Sequence, residues 1–355
     1  MSISLNQGSY CMEIVEKFTN THEKVLFASD PAIGYRGIIA VHSTALGPAV
    51  GGTRFWNYAS EDEALADALR LSRGMTYKTA LAGLPLGGGK SIIIGNNKIV
   101  ERDALLRAHG RFVDFLKGRY ITAEDVGTSP ADMEIVRRET QHVAGLLGRS
   151  GDPSPFTARG VFRAIQAAAK YLWGSDKLSG VSVAIQGCGH VGNSLARLLH
   201  EAGAKLFVSD VNVESVARVA DEFGATRVEP DEVLRVRADI LAPCALGGVI
   251  NDQIIAELKV RIVAGAANNQ LLEERHGEML RDRDILYVPD YLANVGGVLN
   301  GCTELLGWEA AEATKRIDEI YDTTLKILES AKTQGITTNK AADRLAEDRL
   351  GTTGC

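Results

Sequence analysis

The spacing of apolar residues changes character near the middle of the chain. In the first half, short β-rich runs at 25–27 (Val-Leu-Phe) and 37–41 (Gly-Ile-Ile-Ala-Val) predict strands. Ser60-Glu61-Asp62-Glu63 is a capping box, and Leu65 and Leu69 follow at helical spacing, which predicts a helix to about Gly74. Ser91-Ile92-Ile93-Ile94 reads as a buried strand, and a helix over 103–116 leads into Tyr120-Ile121. The stretch 147–155 is rich in glycine, serine and proline and suits a hinge.

Beyond the hinge the rhythm becomes strand–helix–strand. Helices are predicted over 156–172, 191–202 and 213–223, and strands over 181–186 and 206–210. Further short apolar runs at 240–241, 262–263 and 286–288 each end in a polar or glycine-containing turn. This alternation predicts a doubly wound parallel sheet with ligands at the carboxyl ends of its strands. Past about residue 312, Ile317, Ile320, Tyr321, Leu325 and Leu328 form a helical stripe, and a charged final helix is expected over 339–350. The fold class is therefore α/β with two domains. The first spans 1–147, with a C-terminal helix at about 335–355 packing back on it, and the second spans 148–334.

The length of 355 residues suits two domains. A net charge of -6 opposes a general nucleic-acid role, because no basic excess exists to neutralise phosphates. No 18-residue apolar stretch occurs, so no membrane-spanning helix is expected, and the polar start lacks the apolar run of a signal peptide. The five cysteines (Cys11, Cys188, Cys244, Cys302, Cys355) are scattered without a C-x-x-C pair. Neither a metal site nor a disulfide framework is indicated, and a reduced cytoplasmic setting fits best.

Gly187-Cys188-Gly189-His190-Val191-Gly192 matches G-x-G-x-x-G, follows a predicted strand and opens a predicted helix. Asp210 ends the next strand, 18 residues after Gly192. That is the context of a Rossmann-type dinucleotide site. Gly187 makes the turn, Gly189 admits the pyrophosphate and Gly192 lets helix and strand pack; Cys188 and His190 only occupy variable positions. Asp210 would bond the adenine-side ribose, and its charge repels a 2′-phosphate, which favours NAD over NADP.

Two lysines mark the first half. Lys78 closes Met75-Thr76-Tyr77-Lys78, and Lys90 follows three glycines in Gly87-Gly88-Gly89-Lys90-Ser91. A phosphate loop needs its first glycine at position 84, which is Leu84, so Lys90 is out of register for that role. The glycines are expected to let a substrate lie close to the backbone. Two cations in one pocket repel, a common route to a neutral, basic amine near neutral pH.

In order along nearly the whole chain, the sequence resembles the glutamate/leucine/phenylalanine/valine dehydrogenase family. The matching segments are 46–54 (Leu-Gly-Pro-Ala-Val-Gly-Gly-Thr-Arg), 75–78, 87–90, 122–127 (Thr-Ala-Glu-Asp-Val-Gly), 242–245 (Ala-Pro-Cys-Ala), 265–269 (Gly-Ala-Ala-Asn-Asn) and 289–291 (Pro-Asp-Tyr). The resemblance implies oxidative deamination: an L-amino acid, NAD and water give a 2-oxo acid, ammonium and NADH. It implies Lys90 as the base that activates water, Asp125 as the proton carrier for the substrate nitrogen, and Lys78 as the holder of the substrate carboxylate. Gly51, Gly52, Val50, Met75, Ala123, Val298 and Gly301 would line the substrate pocket. Alongside Gly187 to Gly192 and Asp210, the cofactor would meet Val211, Thr157, Cys244, Ala245, Ala266, Asn268 and Asn294. A homo-oligomer, an octamer, is also implied.

Ala123 and the segment 151–155 resemble leucine-type members, which implies branched-chain substrates. Gly301 stands where those members typically carry valine, so an aromatic-type enzyme is the second reading. A non-catalytic NAD-binding sensor is the third, against which the complete set Lys78, Lys90 and Asp125 argues. A 2-hydroxy-acid dehydrogenase lacks an evident catalytic histidine, since His42, His109, His142 and His276 sit in no recognisable catalytic context.

Overall fold

The computed structural model describes residues 2–7, 10–99, 101–148 and 151–351, with the backbone alone for 2–7, 10 and 11. The chain forms two compact units, one of Met1–Gly151 with Arg349–Cys355, the other of Asp152–Asp348. Cys11 and Cys355 lie outside the described side chains.

The first unit is built on seven strands: β1 (Ser2–Gln7), β2 (Tyr10–Lys17), β3 (Lys24–Asp30), β4 (Tyr35–Ser43), β5 (Ala49–Trp56), β6 (Gly87–Ile94) and β7 (Tyr120–Glu124). They lie in the order β1-β2-β3-β4-β6-β5-β7. The pairs from β1 to β6 run antiparallel, and β5 runs parallel to both β6 and β7. Alternation along β6 divides the core. Ile92 and Ile94 cluster with Ala64 and Ala68 of the helix Glu61–Leu81, while Ile93 clusters with Leu106, Phe112 and Val113 of the helix Asp103–Asp114.

Three details differ from the sequence reading. The helix that starts at Glu61 does not stop near Gly74 but runs two turns further, to Leu81. Its cap is as expected, with the Ser60 side chain accepting the Glu63 N–H at 3.1 Å. Strand β6 begins at Gly87 rather than Ser91, so the three glycines and Lys90 are part of the strand. Strand β5 and the helix Pro130–Arg137 were not anticipated. Paired glycines hid the first, and the second is short, although Ser129 and Asp132 form its capping box.

The second unit carries six parallel strands: β8 (Ser182–Gln186), β9 (Lys205–Ser209), β10 (Thr226–Arg227), β11 (Ile240–Pro243), β12 (Ile262–Val263) and β13 (Leu286–Tyr287). Their order, β10-β9-β8-β11-β12-β13, reverses direction between β8 and β11. This is the doubly wound arrangement, and its switch point lies at the carboxyl ends of those two strands. The final helix, Thr338–Leu350, was expected with the first domain, but up to Asp348 it clusters with the second unit. Tyr291 donates to Asp343 at 2.6 Å, Thr338 donates to the Tyr287 carbonyl at 2.6 Å, and Lys340 pairs with Glu278 at 2.6 Å. Arg349, in the first unit, donates to the carbonyls of Ala80 (2.7 Å) and Leu81 (2.5 Å), satisfying the carboxyl end of the Glu61–Leu81 helix. Among the described residues, no helix is long and apolar enough to cross a membrane.

Candidate active site and dinucleotide cradle

Lys90 sits mid-strand in β6, a strand buried along its whole length, and is itself 6% exposed. Its Nζ lies 2.6 Å from Oδ2 of Asp125, which follows β7. The same oxygen accepts Nε of Arg54 from β5 at 3.1 Å. Three parallel strands, β6, β5 and β7, thus deliver a lysine, an arginine and an aspartate to one point. Burial pushes the Lys90 ammonium below its ordinary pKa; Asp125 opposes that shift and Arg54 adds to it. Burial opposes ionisation of Asp125, but Lys90 and Arg54 outweigh it and hold the carboxyl below its usual range. Arg54 is thus a cation acting on Lys90 that sequence reasoning, which looked to Lys78, had not named.

The site is backed by fixed structure. Gly52 lets Asp125 approach, because a Cβ there would lie 2.4 Å from the Glu124 carbonyl oxygen and 2.8 Å from Cβ of Asp125. Asp125 N–H donates to Thr128 Oγ1 at 2.9 Å, and Thr128 donates to the Thr53 carbonyl at 2.8 Å. Arg102 ties the loop down through the carbonyls of Gly127 (2.9 Å) and Asn97 (3.0 Å) and through Asp132. On the opposite face of the sheet, Thr53, Ser91, Thr122 and His109 form a sealed polar cluster. Thr53 Oγ1 lies 2.8 Å from Ser91 Oγ, 2.6 Å from Thr122 Oγ1 and 3.0 Å from His109 Nε2. Tyr35 completes it at 2.8 Å from His109 Nδ1. Burial drives the His109 pKa down to about 3, so this histidine is a neutral structural group.

The glycines before Lys90 have a different use from the one expected. A Cβ on Gly88 would lie 2.0 Å from the backbone nitrogen of Thr76, and one on Gly89 would lie 2.7 Å from the Tyr120 ring. The close approach is the protein's own, clamping the helix that carries Met75 and Lys78 onto β6. Lys78 and Met75 are half-buried near the end of that helix. Val50 is buried and pairs with Gly88, Gly51 pairs with Thr122, and Gly52 pairs with the half-buried Ala123. Val298 and Gly301 belong to the second unit, on the helix Gly296–Leu305, where a Cβ on Gly301 would have nothing within 4 Å. A separate cavity of about 390 Å³ in the first unit, lined by Lys24, Leu26, Phe115 and Arg119 among others, contains none of these groups.

In the second unit, Gly187 follows β8 with φ 103°, a left-handed value that favours glycine. A Cβ on Gly192 would lie 1.9 Å from the Gly187 carbonyl oxygen, so helix His190–Glu201 packs at contact distance on the turn. Gly189, the residue before that helix, has nothing within 4 Å of its Cβ position, and no side chain caps the helix start. An approachable backbone and unclaimed N–H groups suit a pyrophosphate. Asp210 follows β9 and is held by the N–H groups of Cys188 (2.7 Å, to Oδ2) and Asn212 (2.8 Å, to Oδ1). Val211 is exposed beside it.

Cys244, Ala245 and Ala266 follow β11 and β12. Asn294 donates its amide to the Ala266 carbonyl at 3.0 Å and to Oδ1 of the exposed Asn268 at 2.8 Å. The Asn294 Oδ1 is buried and accepts no hydrogen bond from the described residues. Thr157 donates to the Pro153 carbonyl at 3.0 Å. Burial pushes the thiols of Cys188 and Cys244 up to about 11 and about 12, so both stay protonated near neutral pH. Asp252, Glu273 and His276 approach one another, but Arg275 engages both carboxylates and the Glu273 N–H occupies His276 Nδ1, so the group is an ion-pair cluster.

Arg54 and Asp67 are the site residues that sequence reasoning left without a role. Arg54 closes the Gly-Gly-Thr-Arg motif, where a charged residue following a buried threonine in a strand signals opposite faces.

Residues 21–142 match the family model described as "Glu/Leu/Phe/Val dehydrogenase, dimerisation domain". Residues 148–214 and 209–352 match "Glutamate/Leucine/Phenylalanine/Valine dehydrogenase". The chain is 54% identical to leucine dehydrogenase of Geobacillus stearothermophilus, over 94% of this chain and 92% of the relative. It is 51% identical to L-tryptophan dehydrogenase of Nostoc punctiforme, over 93% of each. The crystal structure of L-tryptophan dehydrogenase from Nostoc punctiforme superposes with a TM-score of 0.84, covering 93% of this chain and 96% of that one. By these matches the chain belongs to the glutamate/leucine/phenylalanine/valine dehydrogenase family.

Proposed function

We propose that the protein is an NAD-dependent L-amino-acid dehydrogenase that reversibly deaminates L-leucine and related branched-chain amino acids to 2-oxo acids, releasing ammonium. The observation that carries this reading is the buried Lys90–Asp125 pair at 2.6 Å, with Arg54 on the same carboxylate oxygen. A sensor has no need of such a proton-transfer set. The 54% identity to an enzyme named leucine dehydrogenase supports the substrate class. The Asp210 carboxylate, oriented by two backbone N–H groups, supports NAD over NADP.

In this reading Gly187 to Gly192, Asp210, Asn268 and Thr157 hold the dinucleotide. Bound there, the dinucleotide would supply a hydride acceptor for the substrate α-carbon. Lys78, as an ammonium, holds the substrate carboxylate. Lys90, whose charged form burial and Arg54 disfavour, takes a proton from the water that attacks the iminium carbon. Asp125, kept ionised, takes a proton from the substrate ammonium at the start and returns one to the departing amine. The protein works as a homo-oligomer, an octamer, in the cytoplasm.

The test is NADH formation from leucine, valine, isoleucine, phenylalanine, tryptophan and glutamate at alkaline pH, repeated with NADP. Branched-chain activity with NAD is expected, and no activity on any substrate would end the proposal. A second reading, an aromatic amino-acid dehydrogenase, is favoured by the open space at Gly301 and by the 51% identity to a tryptophan dehydrogenase. Pocket space of a methylene or so discriminates by only about 1–3 kcal/mol, so the panel's ranking decides between the two.

A further inference from the structure

The Lys90–Asp125 pair does not stand alone. Asp125 Oδ2 takes Lys90 Nζ at 2.6 Å and Arg54 Nε at 3.1 Å. The far side of the Arg54 guanidinium is pinned to Asp67 Oδ2 at 2.7 Å. Asp67 is in turn held by Tyr58 OH (2.6 Å) and Arg70 (2.7 Å). The result is a line of alternating charge, Lys90, Asp125, Arg54, Asp67, Arg70, that joins β6, the loop after β7, β5 and the helix Glu61–Leu81. Of the other elements at Lys90, β4 presents uncharged Ala40 opposite it. Tyr120 of β7, a further titratable group that feels Asp125, is buried behind the sheet and stays protonated.

We propose that Arg54 is a positioning residue for this pair: it anchors the Asp125 carboxylate opposite Lys90 and supplies the fixed positive charge against which the pair exchanges its proton. The inference rests on the reading of Lys90 and Asp125 given above. A guanidinium never deprotonates in the working range, so its charge persists when Lys90 is neutral. Asp125 then keeps a cationic partner through the whole cycle, and the carboxylate neither swings away nor draws the Lys90 proton to itself. Asp67 fixes Arg54 from behind and opposes its field at Lys90.

The geometry sets signs that a merely structural role would not. The pH dependence of kcat/KM for oxidative deamination rises through the apparent titration of the coupled pair. Replacing Arg54 by Gln removes a cation and moves that acid limb to higher pH, by about 0.5–1 pH unit for a charge at this distance in a partly exposed site. Arg54→Lys keeps the charge and leaves the limb near its wild-type position while lowering kcat. Asp67→Asn removes an anion and moves the limb the opposite way, to lower pH. Melting temperature and NADH fluorescence establish that each variant is folded. Limbs that move in opposite directions for R54Q and D67N support the proposal. A limb that stays put in both folded variants, or moves the same way in both, overturns it. If R54Q does not fold, the sign of the D67N shift alone decides. Failure of the enzymatic reading is distinct, because the wild-type protein would then oxidise no amino acid at any pH.

Discussion

Replacing Asp125 by Asn keeps the shape of the side chain and removes its charge, which strands Lys90 and Arg54 against each other. Lys90 has a side chain only 7% exposed, and the lost contact is 2.6 Å long. Breaking a buried pair costs about 3–5 kcal/mol. Asp125 and Arg54 are each 22% exposed in their side chains, so we expect about 2–3 kcal/mol at pH 7 once solvent screening is counted. The sign of the pH dependence follows from linkage. The folded-state pKa of Lys90 is already depressed, and without Asp125 it falls further. A depressed base destabilises the fold below its unfolded pKa, about 10.4 for lysine, and the penalty fades as pH rises towards that value. Urea unfolding at fixed protein concentration, at pH 7, 8.5 and 10, should therefore show the D125N deficit shrinking with pH. Turnover should fall by about 100- to 10,000-fold through loss of the proton carrier. A deficit that is equal at pH 7 and 10, or a turnover near wild type, refutes the reasoning.

Three further predictions concern the scaffold. Gly88→Ala places a methyl 2.0 Å from the Thr76 backbone, which should cost about 1–3 kcal/mol by denaturation and raise the KM for the amino acid by shifting the Lys78 helix; Gly301→Ala, with open space around it, should be neutral or stabilising by up to about 1 kcal/mol. His109, buried and neutral with a folded pKa near 3 against 6.5 unfolded, makes the fold lose stability as pH falls from about 6.5 towards 3, on the order of 5 kcal/mol over the full range. His109→Gln should lower proton uptake on unfolding between pH 4 and 6 by close to one, seen as a flatter dependence of stability on pH; an unchanged slope would exclude His109 as the titrating group.

Much of the second unit was legible in the sequence because its signals are local. The turn at Gly187, the helix start at His190 and Asp210 after β9 all sit within one strand–helix–strand stretch, and each follows from backbone requirements of a few residues. The first unit was harder for a physical reason. Its chemistry is assembled by parallel strands whose neighbours are distant in sequence, so nothing near Lys90 announces Arg54 or Asp67. The three glycines looked like a ligand loop because glycine density signals close approach without saying what approaches; here it is Thr76 and Tyr120. His109 was unreadable for a similar reason, since its partners Tyr35, Thr53 and Ser91 come from three separate strands. The body of the final helix, up to Asp348, clusters with the second unit rather than the first because its packing depends on single contacts, such as Tyr291 with Asp343.

The proposed mechanism turns on Lys90 as the group that takes a proton from water. Lys90→Ala, assayed for NADH formation from leucine and, in parallel, for NADH binding by fluorescence titration, tests this most directly. Because the residues proposed to hold the dinucleotide belong to the second unit and Lys90 to the first, the proposed mechanism predicts loss of turnover with cofactor binding intact. A kcat close to wild type in that variant would contradict it.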